Sequence, residues 1–160
     1  MRWTDLVVNE DLRARYGELP DLTGVRLRAV HLDGWGATVT LRFDLSALPE
    51  RREAGPGDTM QCRLQFFMVR DFVLEGWRPP LTADIALTAL PEHRLAVEVT
   101  APGAIASYTS NASLTVGGFS VFTRDADGGD SGRHHFSRPL EHKLHPTIPP
   151  PHNTTFHGRV

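Results

Sequence analysis

The chain has 160 residues, 40 % of them apolar and 22 % charged, with a net charge of −2 when histidine is neutral. That length and composition fit one domain, or one domain with a tail, around a single core. The slight negative charge argues against a nonspecific binder of nucleic acid or of an anionic membrane. A lone cysteine, Cys62, excludes an internal disulfide framework. The first residues, MRWTDLVVNEDLR, lack the long apolar run of a signal peptide. Nowhere do about 18 apolar residues follow one another. The expected location is therefore the cytoplasm. Sixteen arginines stand against one lysine, Lys143, a bias that suggests a GC-rich bacterial coding sequence and says nothing about guanidinium chemistry.

In chain order, Asn9 is a good N-cap, followed by Glu10 and Asp11 where negative charge suits the helix dipole. Leu12 and Tyr16 are four apart and share a face, and Gly17 is a natural stop. This predicts one short helix of about two turns, too short to stand by itself. It should dock through Leu12, Tyr16 and the upstream Trp3.

Two alternating stretches follow. Val25, Leu27 and Ala29 alternate with Arg26, Arg28 and Val30, and Val39, Leu41, Phe43 and Leu45 alternate with Thr38, Thr40, Arg42 and Asp44. Asp33-Gly34-Trp35-Gly36 between them has the glycines of a tight reversal, so 24–45 reads as a hairpin. Its polar face carries Arg26, Arg28, Arg42 and Asp44, as expected of a sheet that is wet on one side.

The segment 46–58 is a charged, Pro/Gly-punctuated loop. Met60 to Trp77 is the densest apolar stretch, with Cys62, Leu64, Phe66 and Met68 in one row and Phe72 and Leu74 after a break or bulge expected near Arg70-Asp71. Shorter strands are expected over 82–88, 94–100, 104–109 and 113–122, with Gly117-Gly118 forming a bulge or bend. The fold class is therefore mainly β, an antiparallel meander of about seven strands with one short N-terminal helix packed against it.

From Arg124 the character changes. ADGGDSG, RHHFSRPLEHKLHP and IPPPHNTTFHGRV are polar and proline-rich and hold six of the eight histidines. Large apolar residues are sparse, so 1–123 is expected to be the domain and 124–160 a disordered tail.

Chemical motifs are few. His135, His142 and His145 with Glu141 are metal-ligand types, but no framework is evident to hold them, and no metal or other cofactor is expected. Cys62 lies on an inward-facing strand position, where it reads as packing rather than as a nucleophile. There is no nucleophile elbow and no phosphate-binding loop. The carboxylates Asp33, Asp44, Asp71, Glu75 and Asp84 are spread over different strands, and nothing in their spacing selects an acid/base pair. The candidate partner-binding residues are Trp35, at the hairpin reversal, and the arginine row Arg26, Arg28 and Arg42. Tryptophan is enriched at interface hot spots, and an arginine row can meet an acidic protein.

The order of features is also familiar. Trp3 and Asn9 precede a short helix ending at Tyr16-Gly17, Leu19-Pro20-x-Leu22 follows, a strand pair closes on LRFDLSALP (41–49), and QCRLQFFMVRDFVLEGW (61–77) comes next. Across roughly residues 3–122 this resembles the immunity protein 50 family of bacterial polymorphic-toxin systems. The resemblance implies a cytoplasmic, non-enzymatic antidote that occludes a cognate toxin domain through a protein interface, without cofactor, nucleic acid or membrane. It carries over no toxin-contacting residues and no oligomeric state. The alternatives are a β domain holding a small apolar ligand and an enzyme using strand-borne carboxylates.

Overall fold

The computed structural model describes residues 1–51, 56–136 and, as backbone, 156–159. After a 3₁₀ turn at Trp3–Leu6, α1 (Leu12–Tyr16) is followed by β1 (Val25–Asp33), β2 (Thr38–Asp44), β3 (Thr59–Phe66), β4 (Arg70–Glu75) and β5 (Leu81–Leu90). Then come β6 (Arg94–Ala101), β7 (Ala104–Asn111), β8 (Thr115–Phe122), the two-residue β9 (His135–Phe136) and β10 (Phe156–Arg159). The fold is mainly β, as expected, but nine strands rather than about seven lie on one hydrogen-bonded path, β4-β7-β6-β5-β1-β2-β3-β8-β9, with β10 pairing β1 off it. Pairing is antiparallel along that path, and β10 runs parallel to β1.

The path folds into two layers, because β5 changes partner partway. Its Leu81–Ala83 end pairs with β1, whereas Asp84–Leu90 pairs with β6. The first layer is β1-β2-β3-β8-β9, and the second is β5-β6-β7-β4. Within the second layer β5, β6 and β7 form a meander and β4 lies beside β7, which is Greek-key order rather than a simple meander. The layers meet where the Phe66 ring of β3 packs edge-on against Tyr108 of β7, 5.3 Å between centroids. Burial raises the Tyr108 phenol well above its ordinary value, and the same effect raises the Cys62 thiol, which keeps that side chain an inert part of the core.

The apolar rows fall where the period-two pattern puts them. Val39, Leu41 and Phe43, then Met60, Cys62, Leu64 and Phe66, then Leu95, Val97 and Val99 all belong to one buried cluster. Four expectations need correction. Met68 does not extend its row, because the strand stops at Phe66 and the chain crosses to the other layer, leaving Met68 54 % exposed at φ +53. The irregularity expected at Arg70-Asp71 is present, with Asp71 at φ +57 and the β4–β7 register slipping between Arg70 and Val73. In β1 the register shifts between Leu27 and Ala29, so Arg28 is an extra residue and the faces exchange. Val30 therefore joins the core cluster, whereas Ala29, though buried, is not part of it. Gly117-Gly118 does bulge, with Gly118 at φ +61 against the Arg63 guanidinium.

The third correction concerns the helix start. The cap is Asp11, whose carboxylate accepts from the Ala14 N–H at 3.1 Å. Asn9 instead pairs its side-chain amide with both backbone groups of Val116, at 2.7 and 2.9 Å, and so substitutes for a strand beside β8. The docking residues are as expected: Trp3, Leu12 and Tyr16 are buried, the Trp3 indole donates to the Pro20 carbonyl, and the Tyr16 ring lies 4.7 Å from that of Phe119.

The fourth is the domain boundary. Residues 124–136 pack on the outer face of the first layer, with Asp130 and His134 buried and β9 added to β8. Polar pairing orders them where apolar burial could not. The remainder of the expected tail, 137–155 and 160, lies outside the described residues, as do His142, His145, Glu141 and His152.

Candidate functional site

Two regions gather the residues singled out by sequence, and they are separate. The first is the end of the sandwich where β1 turns into β2. Asp33 accepts from the Trp35 N–H at 3.0 Å, and Gly36 and Ala37 take the positive φ values that close the reversal. Trp35 does not fold back over the sheet. It is 88 % exposed. The neighbouring loops are tied to this hairpin by backbone hydrogen bonds: Val69 N–H to Ala37 O, Asn111 N–H to Phe67 O, and Ala112 N–H to His93 O, all between 2.9 and 3.0 Å. Arg94 donates to the Met68 carbonyl at 2.9 Å. Four connections are thus held as one platform, on which Trp35, Met68 and Leu90 expose apolar surface. Ala37, Met68, Glu92 and His93 on the same loops have positive φ, backbone strain that only a well-braced loop end sustains.

The second region is the outer face of the first layer. The structure does bring Arg26, Arg28 and Arg42 together, but not as an open row. Arg28 and Arg42 are buried beneath residues 124–136, at 3 % and 8 % exposure. The bulge turns Arg28 so that its Nε and Nη2 both reach Asp44, at 2.9 to 3.0 and 2.6 Å, while Nη2 also donates to the Gly128 carbonyl at 2.9 Å. Arg42 donates through Nη1 to Gln61 Oε1 at 2.8 Å and to Asp130 Oδ2 at 3.0 Å. Gln61 in turn donates to Asp44 at 2.9 Å and to Asp130 at 2.9 Å. The reading of Arg28 and Arg42 as a solvent-facing partner surface is thereby corrected, since a segment of the chain itself occupies that face. Sequence reasoning missed Asp130, Gln61 and His134, because a Gly/Asp-rich stretch reads as a turn and its ion-pair partners lie about 70 to 100 residues earlier.

The electrostatics follow from burial. Burial pushes the Arg42 guanidinium below its ordinary value, although the Asp130 carboxylate opposes this. For Asp130, burial acts upward but is outweighed by the Gln61 hydrogen bond and the Arg28 and Arg42 charges, which hold the carboxyl below its usual range. Burial likewise lowers His134, beyond the opposing pull of the Asp130 carbonyl and carboxylate. The His134 ring stacks on Phe122 at 4.4 Å between centroids. Its Nε2 lies 3.0 Å from the Asp130 backbone carbonyl, which can only accept, so Nε2 carries the proton. Nδ1 is then the acceptor for the Ser120 hydroxyl at 2.8 Å. This Ser–His pair is fully buried and holds the segment down; it offers no accessible nucleophile.

The other carboxylates are engaged separately. Asp33 braces the Trp35 turn, Asp44 is held by Arg28, Asp84 accepts from the Gly24 N–H at 2.8 Å, and Asp71 and Glu75 are exposed on β4. Between the layers the space is filled by Phe66, Phe72, Tyr108 and their neighbours. A cleft of about 590 Å³ opens beside the N-terminal segment, and charged side chains including Arg2, Asp5, Asp11, Arg13 and Glu18 line it. Among the described residues no group of three or more His, Cys, Asp or Glu is arranged to hold a metal ion, and no helix is long and apolar enough to cross a membrane. Comparison with protein-family models, with curated proteins and with solved structures finds no match to this chain.

Proposed function

We propose that this protein is a cytoplasmic, non-enzymatic immunity protein that binds a cognate toxin domain through the loop end carrying Trp35 and blocks it by occlusion. The observation that carries the reading is the 88 % exposure of Trp35 on a hairpin whose neighbouring loops are fastened to one another by backbone hydrogen bonds. A large amphipathic ring held on a braced platform loses little conformational freedom on binding, which is what an anchor residue needs. Met68 and Leu90 extend the apolar surface around it. The order of sequence features that resembles the immunity protein 50 family supplies the kind of partner. Of the expected contact residues, Trp35 keeps that role and Arg26 remains partly open to solvent, whereas Arg28 and Arg42 support the scaffold.

The reading is tested by looking for a toxin domain encoded beside this gene and following growth of cells that co-express it. The chain should rescue growth, and Trp35→Ala should not, while the variant stays folded. The apolar-ligand alternative is disfavoured by the filled space between the layers and by the charged lining of the cleft.

A further inference from the structure

β4 ends the hydrogen-bonded path of strands, and its far side is open. It pairs with β7, and among the described residues no other backbone hydrogen bond reaches Arg70–Glu75. Its outward N–H and C=O groups are left to solvent, the state in which a sheet can take a further strand. The strand has two unlike faces. Phe72 and Leu74 pack on the core, and the Phe72 ring lies 5.6 Å from that of Tyr108. Val73 and Glu75 turn outward. Val73 is 45 % exposed, and Ile105, opposite Glu75 in the register and so diagonal to Val73, is 39 % exposed. An exposed apolar pair thus lies beside an unpaired edge.

Charge decides what can pair there. Asp71 and Glu75 are exposed on either side of Val73, and neither has an ion-pair partner among the described residues. Arg70 stands at the start of the strand, before the slip in register. Two copies of β4 paired antiparallel about Val73 would set each Asp71 opposite the other copy's Glu75, and like charges directly opposite are destabilising. The two carboxylates therefore disfavour a second copy and favour a strand with basic residues at those positions. The edge also begins at the platform. The Val69 N–H donates to the Ala37 carbonyl at 2.9 Å and Arg94 donates to the Met68 carbonyl at 2.9 Å, so the residues leading into β4 are fastened to the Trp35 hairpin and its neighbouring loop.

We propose that the free edge of β4 is a strand-addition site for an extended segment of the protein partner, one that places basic residues on both sides of an apolar residue facing Val73. Backbone hydrogen bonds along residues 72–75 hold the segment, its apolar side chain extends the Val73–Ile105 pair, and its cations meet Asp71 and Glu75. The proposal rests on the reading of a protein partner at the Trp35 platform, but its test uses no toxin domain, so the two fail separately.

The probe is the peptide acetyl-Thr-Lys-Val-Ile-Val-Lys-Thr-amide, titrated into the full chain and followed by backbone amide resonances. The amides of residues 72–75 should shift, and those of β9, at the other end of the path, should not. The counterpart with glutamate in place of both lysines should bind about tenfold more weakly, because two cross-strand charge pairs turn from attractive to repulsive. An added strand bonds to the sheet through one of its edges. N-methylation of one alternate set of peptide amides should therefore abolish binding, and N-methylation of the other set should leave it intact. Val73→Lys, at an exposed position, should weaken the lysine peptide about tenfold. No binding, equal binding by the glutamate peptide, or an equal effect of the two N-methylated sets overturns the proposal. So does dimerisation of the chain alone that Val73→Lys abolishes, which would assign the edge to a second copy.

Discussion

The Arg28–Asp44 pair shows how a single extra residue sets the chemistry of a face. Without the bulge Arg28 would continue a solvent-facing row; with it, the guanidinium turns into a site where Asp44, Gln61, Asp130 and Gly128 satisfy its neighbourhood. Removing one partner of a buried pair leaves the other charge uncompensated, so Asp44→Ala should cost about 3–5 kcal/mol in urea unfolding. His134 adds a pH dependence. Its folded-state value lies below the ordinary 6.5, so as pH falls the unfolded chain takes up the proton first. The stability contributed by the neutral imidazole is full above about pH 6.5 and is lost as pH falls through that value towards the folded one. Asp130, also depressed, from 3.8, acts in the same direction but only at lower pH. Wild-type stability should therefore decline as pH falls below about 6.5, and His134→Gln, which cannot protonate, should be less stable above that pH yet show a shallower slope below it. An unchanged slope would remove His134 from the account.

At the scale of elements, the strands were legible and their irregularities were not. Val39, Leu41 and Phe43, or Leu95, Val97 and Val99, announce their inward face by period two, because one buried face demands it. The Arg28 bulge leaves no such trace, since Arg-Leu-Arg-Ala-Val reads equally well in either register. Gly118 is the exception: its φ of +61 against Arg63 needs glycine, and the adjacent glycines marked it. Gly118→Ala should cost about 1–2 kcal/mol, from the left-handed backbone together with displacement of the Arg63 side chain. The packing of 124–136 was hidden for a different reason. Its order rests on Asp130, His134 and the Gly128 carbonyl meeting groups on β1, β2, β3 and β8, and a composition-based reading of apolar content does not register such contacts. A chain ending at Phe122 should accordingly unfold at much lower urea concentration than the full chain, because it uncovers Arg28, Asp44 and Gln61 together. A dispensable tail would leave the midpoint unchanged.

For the whole molecule, one layer turns an arginine-rich face towards its own acidic segment and the two layers close over a filled core. At the braced loop end Trp35, Met68 and Leu90 bring apolar surface to solvent on strained, ordered backbone. Trp35 was visible in the sequence as a turn residue between glycines, and its exposure follows from the tight reversal that those glycines permit. What no sequence pattern could reveal is that loops from β1–β2, β3–β4, β5–β6 and β7–β8 are fastened into one surface. The most direct measurement is calorimetric titration of the proposed partner, a toxin domain in a catalytically inactive form, with wild type and with Trp35→Ala. The account predicts that the substitution weakens binding by about 2–4 kcal/mol. It also predicts a change in urea stability of no more than about 0.5 kcal/mol. Equal affinity for the two proteins, or no binding by the wild type, would contradict it.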